Sequence, residues 1–265
     1  MESKVWRGFK SFIVYDLVKE DESVTSFYLK PEDGEVLPKA LPGQYIAVKI
    51  PKADNKFSKV RQYTLSMDSK EDFYRISVKI EEEGEVSKDL CTNIKVGDTL
   101  FATMPMGKFV LKDNDETKVL IGGGIGITPM LAMAHAVKST DKKAKLIYSI
   151  ANSKRHSFKE EIEKLEKENP NIDFTLIYTR PTEEDKINNK HHVEGRIDEE
   201  WMKNNLPMDA EFYLCGSVPF MRAIYKGLRN LGVVESKINY ELFAPGEDIK
   251  KNCLSIESNQ CLAVF

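Results

Sequence analysis

The chain has 265 residues, of which 41% are hydrophobic and 31% charged, and its formal net charge is −3. This composition is typical of a globular protein with one large or two ordinary domains, and the small net charge gives no reason to expect a nucleic-acid partner. No apolar run approaches the length of a membrane span, and the N-terminus lacks a signal-peptide core. Because the four cysteines match no zinc spacing, we expect a cytoplasmic protein without a bound metal.

The first 112 residues have the pattern of an all-β domain. Runs rich in β-branched and aromatic residues are separated by short turns such as Pro42-Gly43. Six strands with short turns predict a small antiparallel Greek-key β-barrel. One segment, Ser87–Ile94, has helical spacing instead. The predicted strands are Phe9–Val18, Ser23–Leu29, Tyr45–Ile50, Val60–Ser66, Phe73–Ile80 and Thr99–Thr103.

A short polar stretch, Asp113–Thr117, marks the expected boundary between two domains. After it, strands alternate with helices, which predicts a parallel five-stranded sheet covered on both faces. We therefore expect an α+β chain with a barrel over residues 1–112, an α/β nucleotide-binding domain over 113–246 and a tail over 247–265. The expected strands are Lys118–Ile121, Lys145–Ile150, Asp173–Tyr178, Glu211–Cys215 and Lys237–Tyr240, and the expected helices are Pro129–Lys138, Phe158–Glu168, Asp198–Asn205 and Pro219–Leu231.

The segments that follow the five parallel strands should share one rim, because ligands of such sheets bind outside the C-terminal strand ends. Besides the glycine turn at 122–126, these segments are Ser149–Asn152, Tyr178–Arg180, Cys215–Ser217 and Glu241–Phe243. Away from this rim, His135 is interpreted as a packing or surface residue. The helix Phe158–Glu168 has the pattern of a solvated amphipathic helix.

The glycine turn lies between a buried strand and a helix. It holds four glycines in five positions, and Thr128-Pro129, a helix-start signal, follows it. Such a turn brings bare backbone and a helix N-terminus up to a phosphate. It is not a P-loop, because no Gly-Lys-Ser/Thr follows, and it does not fit the G-x-G-x-x-G spacing cleanly. A tight turn without a ligand is the alternative.

Two stretches of the first domain also carry chemistry. In Arg61-Gln62-Tyr63-Thr64-Leu65-Ser66, alternation separates the odd-numbered from the even-numbered side chains. An arginine, an aromatic ring and hydroxyls suit a phosphate, a flat ring and a ring nitrogen, although an exposed barrel strand is the alternative. Glu85-Val86-Ser87 opens the predicted helix, where Ser87 can be a plain cap or the free N–H groups can take an anion.

The order of these motifs resembles that of the ferredoxin–NADP reductase superfamily and, more narrowly, the reductase portion of flavohaemoglobins. The resemblance covers roughly residues 6–246. It implies a FAD-binding barrel followed by a nicotinamide-nucleotide domain. The motifs that carry it are Arg61-x-Tyr63-Thr64-x-Ser66, Gly84-x-Val86-Ser87, Gly122–Pro129, Cys215-Gly216 and Tyr240-Glu241-x-Phe243.

Carried over by position, the resemblance implies roles for individual residues. Thr64 would lie near the flavin N5, Cys215 beside the nicotinamide, and Glu241 close enough to tune the flavin potential. The residues implied to bind FAD are Tyr45, Arg61, Gln62, Tyr63, Thr64, Gly84, Val86 and Ser87, with Phe243, Ala244 and Pro245 at the flavin face. The residues implied to bind the nicotinamide nucleotide are Gly124, Ile125, Gly126, Ile127, Thr128, Pro129, Cys215 and Gly216.

The chain departs from the family pattern in several places. Thr64 stands where Ser is common, and Ala244 stands where Gly is common. Only five residues precede the first matching segment, too few for the globin domain of flavohaemoglobins, so we expect no haem chemistry in this chain. The tail cysteines, Cys253 and Cys261, cannot supply the four thiolates of an iron–sulfur cluster.

These features predict a FAD-dependent enzyme that takes electrons from NADH or NADPH. The electrons would pass to a separate redox protein, such as a globin or an iron–sulfur protein, with no membrane-spanning segment involved. The alternative is a non-catalytic flavin- or nucleotide-binding subunit of a larger complex. The loop Ala151–His156 lacks an acid for a free 2′-hydroxyl and offers cations for a 2′-phosphate, which favours use of both nucleotides. The acceptor and the oligomeric state stay open.

Overall fold

A computed structural model of the chain describes residues 5–67, 72–138, 140–243 and 246–250. These residues form one six-stranded antiparallel sheet and one six-stranded parallel sheet. The expected order of a β domain followed by an α/β domain is therefore confirmed. Ala244, Pro245 and the tail with Cys253 and Cys261 lie outside the described residues.

The antiparallel sheet contains all six predicted strands. It is built from β1 (Lys10–Lys19), β2 (Val24–Pro31), β3 (Tyr45–Lys49), β4 (Arg61–Thr64), β5 (Tyr74–Lys79) and β6 (Thr99–Ala102). The strand order is β4-β3-β6-β1-β2-β5. An antiparallel bridge between Leu65 and Ile76 joins the two outer strands, so the sheet closes into a barrel.

The barrel interior is filled because every second side chain of each strand points inward. Phe12 and Val14 of β1 and Phe27 and Leu29 of β2 are fully buried in it. Helix α1 (Glu85–Asn93), close to the predicted helix, contributes Val86 and Leu90 to the same core.

The parallel sheet has one strand more than predicted. The order is β10-β9-β8-β7-β11-β12, and β10 is a two-residue edge strand that no sequence period could reveal. The strands are β7 (Lys118–Gly123), β8 (Ala144–Ile150), β9 (Ile172–Tyr178), β10 (Val193–Glu194), β11 (Glu211–Cys215) and β12 (Ile238–Glu241). The helices are α2 (Ile127–Lys138), α3 (Lys159–Glu168), α4 (Glu183–Ile187), α5 (Glu199–Asn205) and α6 (Val218–Asn230).

Separate apolar cores cover the two faces of the parallel sheet, as the alternating pattern predicts. Met130 and Leu131 of α2 belong to one core, and Met221 and Leu228 of α6 belong to the other. Within the described residues, no helix is both long and apolar enough to cross a membrane. The same residues contain no group of three or more His, Cys, Asp or Glu side chains arranged to hold a metal ion.

Candidate functional site

The C-terminal ends of the parallel strands form one rim, which confirms the expectation from the alternating pattern. Gly122 of β7 lies in register with Tyr148 of β8 and with Cys215 of β11. Cys215 also lies in register with Glu241 of β12, and the end of β9 pairs with the end of β8. The glycine turn therefore has the end of β8 on one side and that of β11, followed by β12, on the other.

Glycine is required at different positions of the turn for different structural reasons. A Cβ atom at Gly126 would lie 2.3 Å from the carbonyl oxygen of Cys215, and one at Gly122 would lie 2.8 Å from the Cα of Ile127. These two glycines let β7, α2 and β11 approach each other closely. Gly124 instead has a positive φ of 55° and open space around it, so bare backbone is left exposed where a ligand can approach.

The residues after the turn contribute backbone rather than side chains to this surface. Ile127 and Pro129 are buried in α2. The buried Thr128 hydroxyl donates a hydrogen bond to the Ile125 carbonyl at 3.0 Å. The accessible part of the turn therefore consists of the exposed Gly124 between the half-buried Gly123 and Ile125.

Phe220, in the first turn of α6, is a rim residue to which the sequence analysis assigned no role. A Cβ atom at Gly123 would lie 2.8 Å from its ring, and one at Gly216 would lie 2.7 Å from it. The half-buried Phe220 ring thus occupies the space between the two glycine-containing turns. No motif marks it, because its position depends on where α6 begins.

Cys215 and Glu241 form a titratable pair on this rim. Burial, and after it the nearby charge of Glu241, raises the pKa of the Cys215 thiol, so this side chain is protonated at neutral pH. Burial also raises the pKa of Glu241 to about 7. One Glu241 carboxylate oxygen has no hydrogen-bond partner among the described residues. Glu241 is therefore suited to take up or release a proton near neutral pH.

The barrel contributes a second polar face, centred on β4. Arg61 and Gln62 are exposed, and the Arg61 guanidinium donates a hydrogen bond to the Val60 carbonyl at 2.9 Å. Among the described residues, Arg61 forms no ion pair with a carboxylate. Gln62 donates a hydrogen bond to the Tyr45 hydroxyl at 3.3 Å, and Tyr45 lies in register with Thr64. Tyr45, Gln62 and Thr64 are thus brought together.

Tyr63 has the opposite orientation along β4. It is half-buried and packs with the buried Leu65 against the barrel core. Burial raises the pKa of the Tyr63 hydroxyl. Tyr63 and Leu65 thus share the core side, as the predicted alternation requires, but the exposed Arg61 does not pack there, and Thr64 and Ser66 are buried as well. Only part of the Tyr63 ring is accessible to a ligand.

Ser87 does not cap α1, so its interpretation as a plain cap is wrong. The N-cap is Gly84, and Ser87 is the third residue of the nine-residue helix. Its hydroxyl donates a hydrogen bond to the Gly84 carbonyl at 3.1 Å and accepts one from the Glu81 N–H at 3.2 Å. A Cβ atom at Gly84 would lie 2.3 Å from this hydroxyl, which explains the glycine. The side chain of Val86 is buried in the core, so what α1 offers an anion is its first-turn N–H groups.

The loop after β8 receives an acid from a distant part of the chain. Lys154 and Arg155 are exposed there. The fully buried Asp185 of α4 accepts hydrogen bonds from the Ser153 N–H at 3.3 Å and the Thr182 N–H at 3.0 Å. Burial acts to raise the pKa of Asp185, but hydrogen bonds from Ser153 and Thr182 lower it to about 2. No local pattern in the sequence links this acid to the loop, because it lies some 30 residues beyond it.

The barrel face and the rim meet at β5. The Ser66 N–H, at the end of the Arg61–Ser66 stretch, donates to the Arg75 carbonyl of β5 at 3.0 Å, and β5 also contacts the Gly124–Gly126 turn. Phe243, which follows β12, has 44% of its surface exposed and is not part of the core. The barrel face therefore presents the cationic Arg61 together with hydroxyl groups. The rim presents the bare backbone of Gly124 and the protonatable carboxyl group of Glu241.

Two family models match the chain. An oxidoreductase FAD-binding domain matches residues 13–111, and an oxidoreductase NAD-binding domain matches residues 120–226. A flavohemoprotein of Bacillus thuringiensis subsp. konkukian is 39% identical over 254 residues, which are 92% of this chain and 63% of that protein. The chain thus spans less than two thirds of the length of the curated relatives it matches.

Solved structures give the same result. The flavohem-like FAD/NAD binding domain of nitric oxide dioxygenase from Vibrio cholerae matches with a TM-score of 0.81 and 32% identity, over 89% of this chain and 99% of that chain. A flavohemoglobin from Malassezia yamatoensis, solved with bound FAD and heme, matches with a TM-score of 0.78 and 25% identity, over 89% of this chain and 60% of that chain. The similarity therefore extends over nearly all of the Vibrio domain.

Proposed function

This chain belongs to the ferredoxin–NADP reductase superfamily, on the branch of the FAD- and NAD-binding domains of flavohaemoglobins, and we propose that it passes electrons from NAD(P)H to a separate haem or iron–sulfur protein. Membership makes it a FAD-dependent NAD(P)H oxidoreductase. The acceptor, the nucleotide preference and the role of each site residue are the proposed parts. We take the FAD domain as residues 1–112, the NAD(P) domain as 113–246 and the remainder as a tail.

The proposal that the barrel domain binds FAD rests on one observation, the exposed Arg61 in the segment next to the start of α1. Lys59, two residues before Arg61, lies 3.6 Å from Glu85, the first residue of α1. This ion pair joins the segment before Arg61 to the start of α1, and we propose that the Arg61 guanidinium and the first-turn N–H groups of α1 bind the same diphosphate. A planar guanidinium suits such bidentate binding, and helix N-termini favour anions.

When bound, FAD supplies the redox chemistry by accepting a hydride from NAD(P)H and releasing the electrons to an acceptor. The residues of the chain bind and orient the groups. We assign the Thr64 hydroxyl and Tyr45 to the flavin ring system and the accessible part of Tyr63 to its ribityl side. Thr64 is 5% exposed.

On the rim, exposed backbone at Gly124 would bind the diphosphate of the nicotinamide nucleotide. Cys215-Gly216 and the Phe220 ring would form the wall beside the nicotinamide, with the Cys215 side chain itself buried behind that wall. The exposed Phe243 would cover the flavin face and move aside for the nicotinamide. Glu241 would hold a proton close to this site, since burial raises the pKa of its carboxyl to about 7.

Two features support a protein as the acceptor. Phe57 and Val60 are 44% and 45% exposed, and Val60 precedes Arg61, so apolar surface lies next to the proposed FAD site. The relatives named flavohemoprotein combine flavin and haem in one protein, and this chain matches part of them. The alternative of a non-catalytic regulatory subunit has no comparable support, because both family models that match the chain are oxidoreductase domains.

For the nucleotide, we propose use of both NADH and NADPH. Lys154 and Arg155 are exposed and suit a 2′-phosphate, whereas the negative charge of Asp185 near Ser153 favours a free 2′-hydroxyl. The two influences oppose each other. A ratio of catalytic efficiencies above about a hundredfold for either nucleotide, roughly 2.7 kcal/mol, would contradict this proposal. We also propose a cytoplasmic location.

The acceptor is tested by capture of partners from the native host, followed by an electron-transfer assay. Cytochrome c and a [2Fe–2S] ferredoxin serve as general haem and iron–sulfur probes in the same assay. We expect NAD(P)H-dependent, FAD-dependent reduction of at least one captured or probe protein. If the flavin is reduced but only dioxygen reoxidises it, the proposed acceptor class is wrong. Flavin extracted from the protein should be FAD, and a finding of FMN alone would contradict the assignment of Arg61 and α1.

A further inference from the structure

A buried arginine joins the barrel to the nucleotide-binding half. Arg75 of β5 has a side chain that is 5% exposed. Its two terminal nitrogens donate to the Glu161 carboxylate of α3 at 2.6 and 3.1 Å. Such a bidentate, charge-assisted pair fixes both the distance and the orientation of the groups it joins. The predicted solvated helix therefore has one charged side chain turned towards the barrel.

The same guanidinium holds the end of the proposed flavin-binding stretch. Arg75 Nε donates to the Ser66 hydroxyl at 3.1 Å, and Nη2 donates to the Ser66 carbonyl. Ser66 lies two residues after Thr64, on the same face of the strand. Arg75 therefore contacts the segment that carries Thr64 and the helix that carries Glu161 at once.

A continuous set of hydrogen bonds extends from this pair into both halves. In the barrel, the Ser66 and Ser77 hydroxyls are 2.7 Å apart, Ser77 and Ser26 are 2.7 Å apart, and Ser26 donates to Glu20 at 2.6 Å. In the other half, His135 Nε2 lies 2.6 Å from Glu161. A buried network in which every member has a partner specifies one arrangement of the chain.

Charge complementarity stabilises this arrangement. Burial acts to raise the pKa of Glu161, but hydrogen bonds from His135 and Arg75 lower it, so the carboxylate is charged. The Arg75 guanidinium also lies over the Phe158 ring, 5.2 Å from its centroid. Removing one partner of a buried ion pair leaves an uncompensated charge. The buried Arg75–Glu161 ion pair therefore holds the barrel and the nucleotide-binding half in one relative placement, and we expect changes to either residue to disturb it.

We propose that Arg75 and Glu161 are positioning residues that set the distance between the flavin and the nicotinamide for hydride transfer. The inference rests on the proposed function. Its geometric basis is a pair of contacts made by β5. Arg75 of this strand donates a hydrogen bond to Ser66 on the flavin side, and the strand contacts the Gly124–Gly126 turn on the nucleotide side. Hydride transfer requires reacting atoms about 3–3.5 Å apart, and a misplacement of about 1 Å costs on the order of a hundredfold in rate.

The test measures the limiting rate of flavin reduction and the nucleotide dissociation constant by anaerobic rapid mixing with NADH and NADPH. Glu161→Gln keeps the size of the side chain and removes its charge. We expect the limiting rate to fall about 10- to 100-fold, with FAD content retained and the dissociation constant changed less than about threefold. Glu163→Gln, in the same helix but with a side chain 57% exposed, is the matched control and should leave both values unchanged.

A second variant covers the case in which Glu161→Gln does not fold. Glu161→Asp keeps the charge but shortens the side chain by one methylene, so we expect a smaller loss of the limiting rate, about 3- to 10-fold. A folded variant with a lower melting temperature but a limiting rate within twofold of wild type would overturn the inference, because the pair would then be structural only. Failure of the proposed function has a different signature, namely that the wild-type flavin is not reduced by either nucleotide.

Discussion

The barrel face and the sheet rim differ in the groups that they present to a ligand: side chains on the barrel and backbone on the rim. On the barrel, the proposed ligand-binding groups are side chains of one strand, namely the exposed Arg61 guanidinium and the hydroxyl of Thr64, which is 5% exposed. On the rim, Gly122 and Gly126 have no side chains because neighbouring backbone occupies the space. The barrel should therefore lose FAD when a binding side chain is removed. The rim should lose the nicotinamide nucleotide when a Cβ atom is added at one of these glycines.

The largest expected effect is on the barrel side. Arg61→Ala should weaken FAD binding by about 2–5 kcal/mol, because the diphosphate would lose its charged partner. Gln62→Ala is the matched control on the neighbouring exposed position and should cost less than about 1 kcal/mol. Equilibrium titration of the flavin-free proteins with FAD measures both. Equal FAD affinity of Arg61→Ala and wild type would move the diphosphate away from this arginine.

The next effect is on the rim, where two glycines form a matched pair. Gly126→Ala should lower the free energy of unfolding by about 3 kcal/mol, because its Cβ would lie 2.3 Å from the Cys215 carbonyl oxygen. Gly124→Ala meets open space and should cost only about 1–2 kcal/mol for its positive φ. Urea denaturation compares the two, and similar losses would show that backbone conformation, not close packing, governs the turn.

Glu241 is a rim side chain that titrates near neutral pH. Burial raises its pKa from 4.5 to about 7, so the folded state favours the neutral carboxyl. Its contribution to stability is complete below pH 4.5 and is lost as the pH rises through about 7. The loss is about 2 kcal/mol after allowance for partial solvent exposure.

The measurement is the difference in unfolding free energy between wild type and Glu241→Gln from pH 4.5 to 8. A glutamine does not titrate, so the variant should gain stability relative to wild type as the pH rises. If the two proteins have parallel pH profiles, Glu241 is not held in the neutral form by burial.

The smallest effect concerns Phe243. Because this ring is 44% exposed, Phe243→Ala should cost far less than the roughly 3–5 kcal/mol typical of a core aromatic residue. Loss of a ring that competes with the nicotinamide should tighten nucleotide binding about three- to tenfold, since stacking contributes on the order of 0.5–1.5 kcal/mol. The melting temperature and the nucleotide dissociation constant are the two readouts. A large stability loss without tighter binding would remove Phe243 from the site.

Much of the fold was predictable because periodic patterns determine it. All six barrel strands and five of the six parallel strands follow from alternation and from short apolar runs, with bounds that agree within a few residues. The rim followed from the rule on C-terminal strand ends. The exceptions, β10 and α4, are two and five residues long, too short to show a period.

Site residues could be predicted from the sequence where the residue type alone indicates a chemical role. They could not be predicted where the role depends on a tertiary contact. Nothing local in the sequence shows that Phe220 fills the space beside two glycines or that Asp185 reaches Ser153. Arg75 and Glu161 are 86 positions apart and read as ordinary surface charges on a strand and a helix. A cap by Ser87 was one of two predictions for this segment, and it is wrong because α1 begins earlier, with Gly84 as its N-cap.

We propose that the barrel face and the rim act together, the barrel face by binding FAD and the rim by binding NAD(P)H next to it. The most direct test loads the purified protein with FAD, removes oxygen and adds NADH or NADPH while the visible flavin absorbance is recorded. We expect uptake of one FAD per chain and loss of the flavin absorbance with one or both nucleotides. A protein that takes up no FAD, or whose bound flavin keeps its colour at saturating NADH and NADPH, would contradict it.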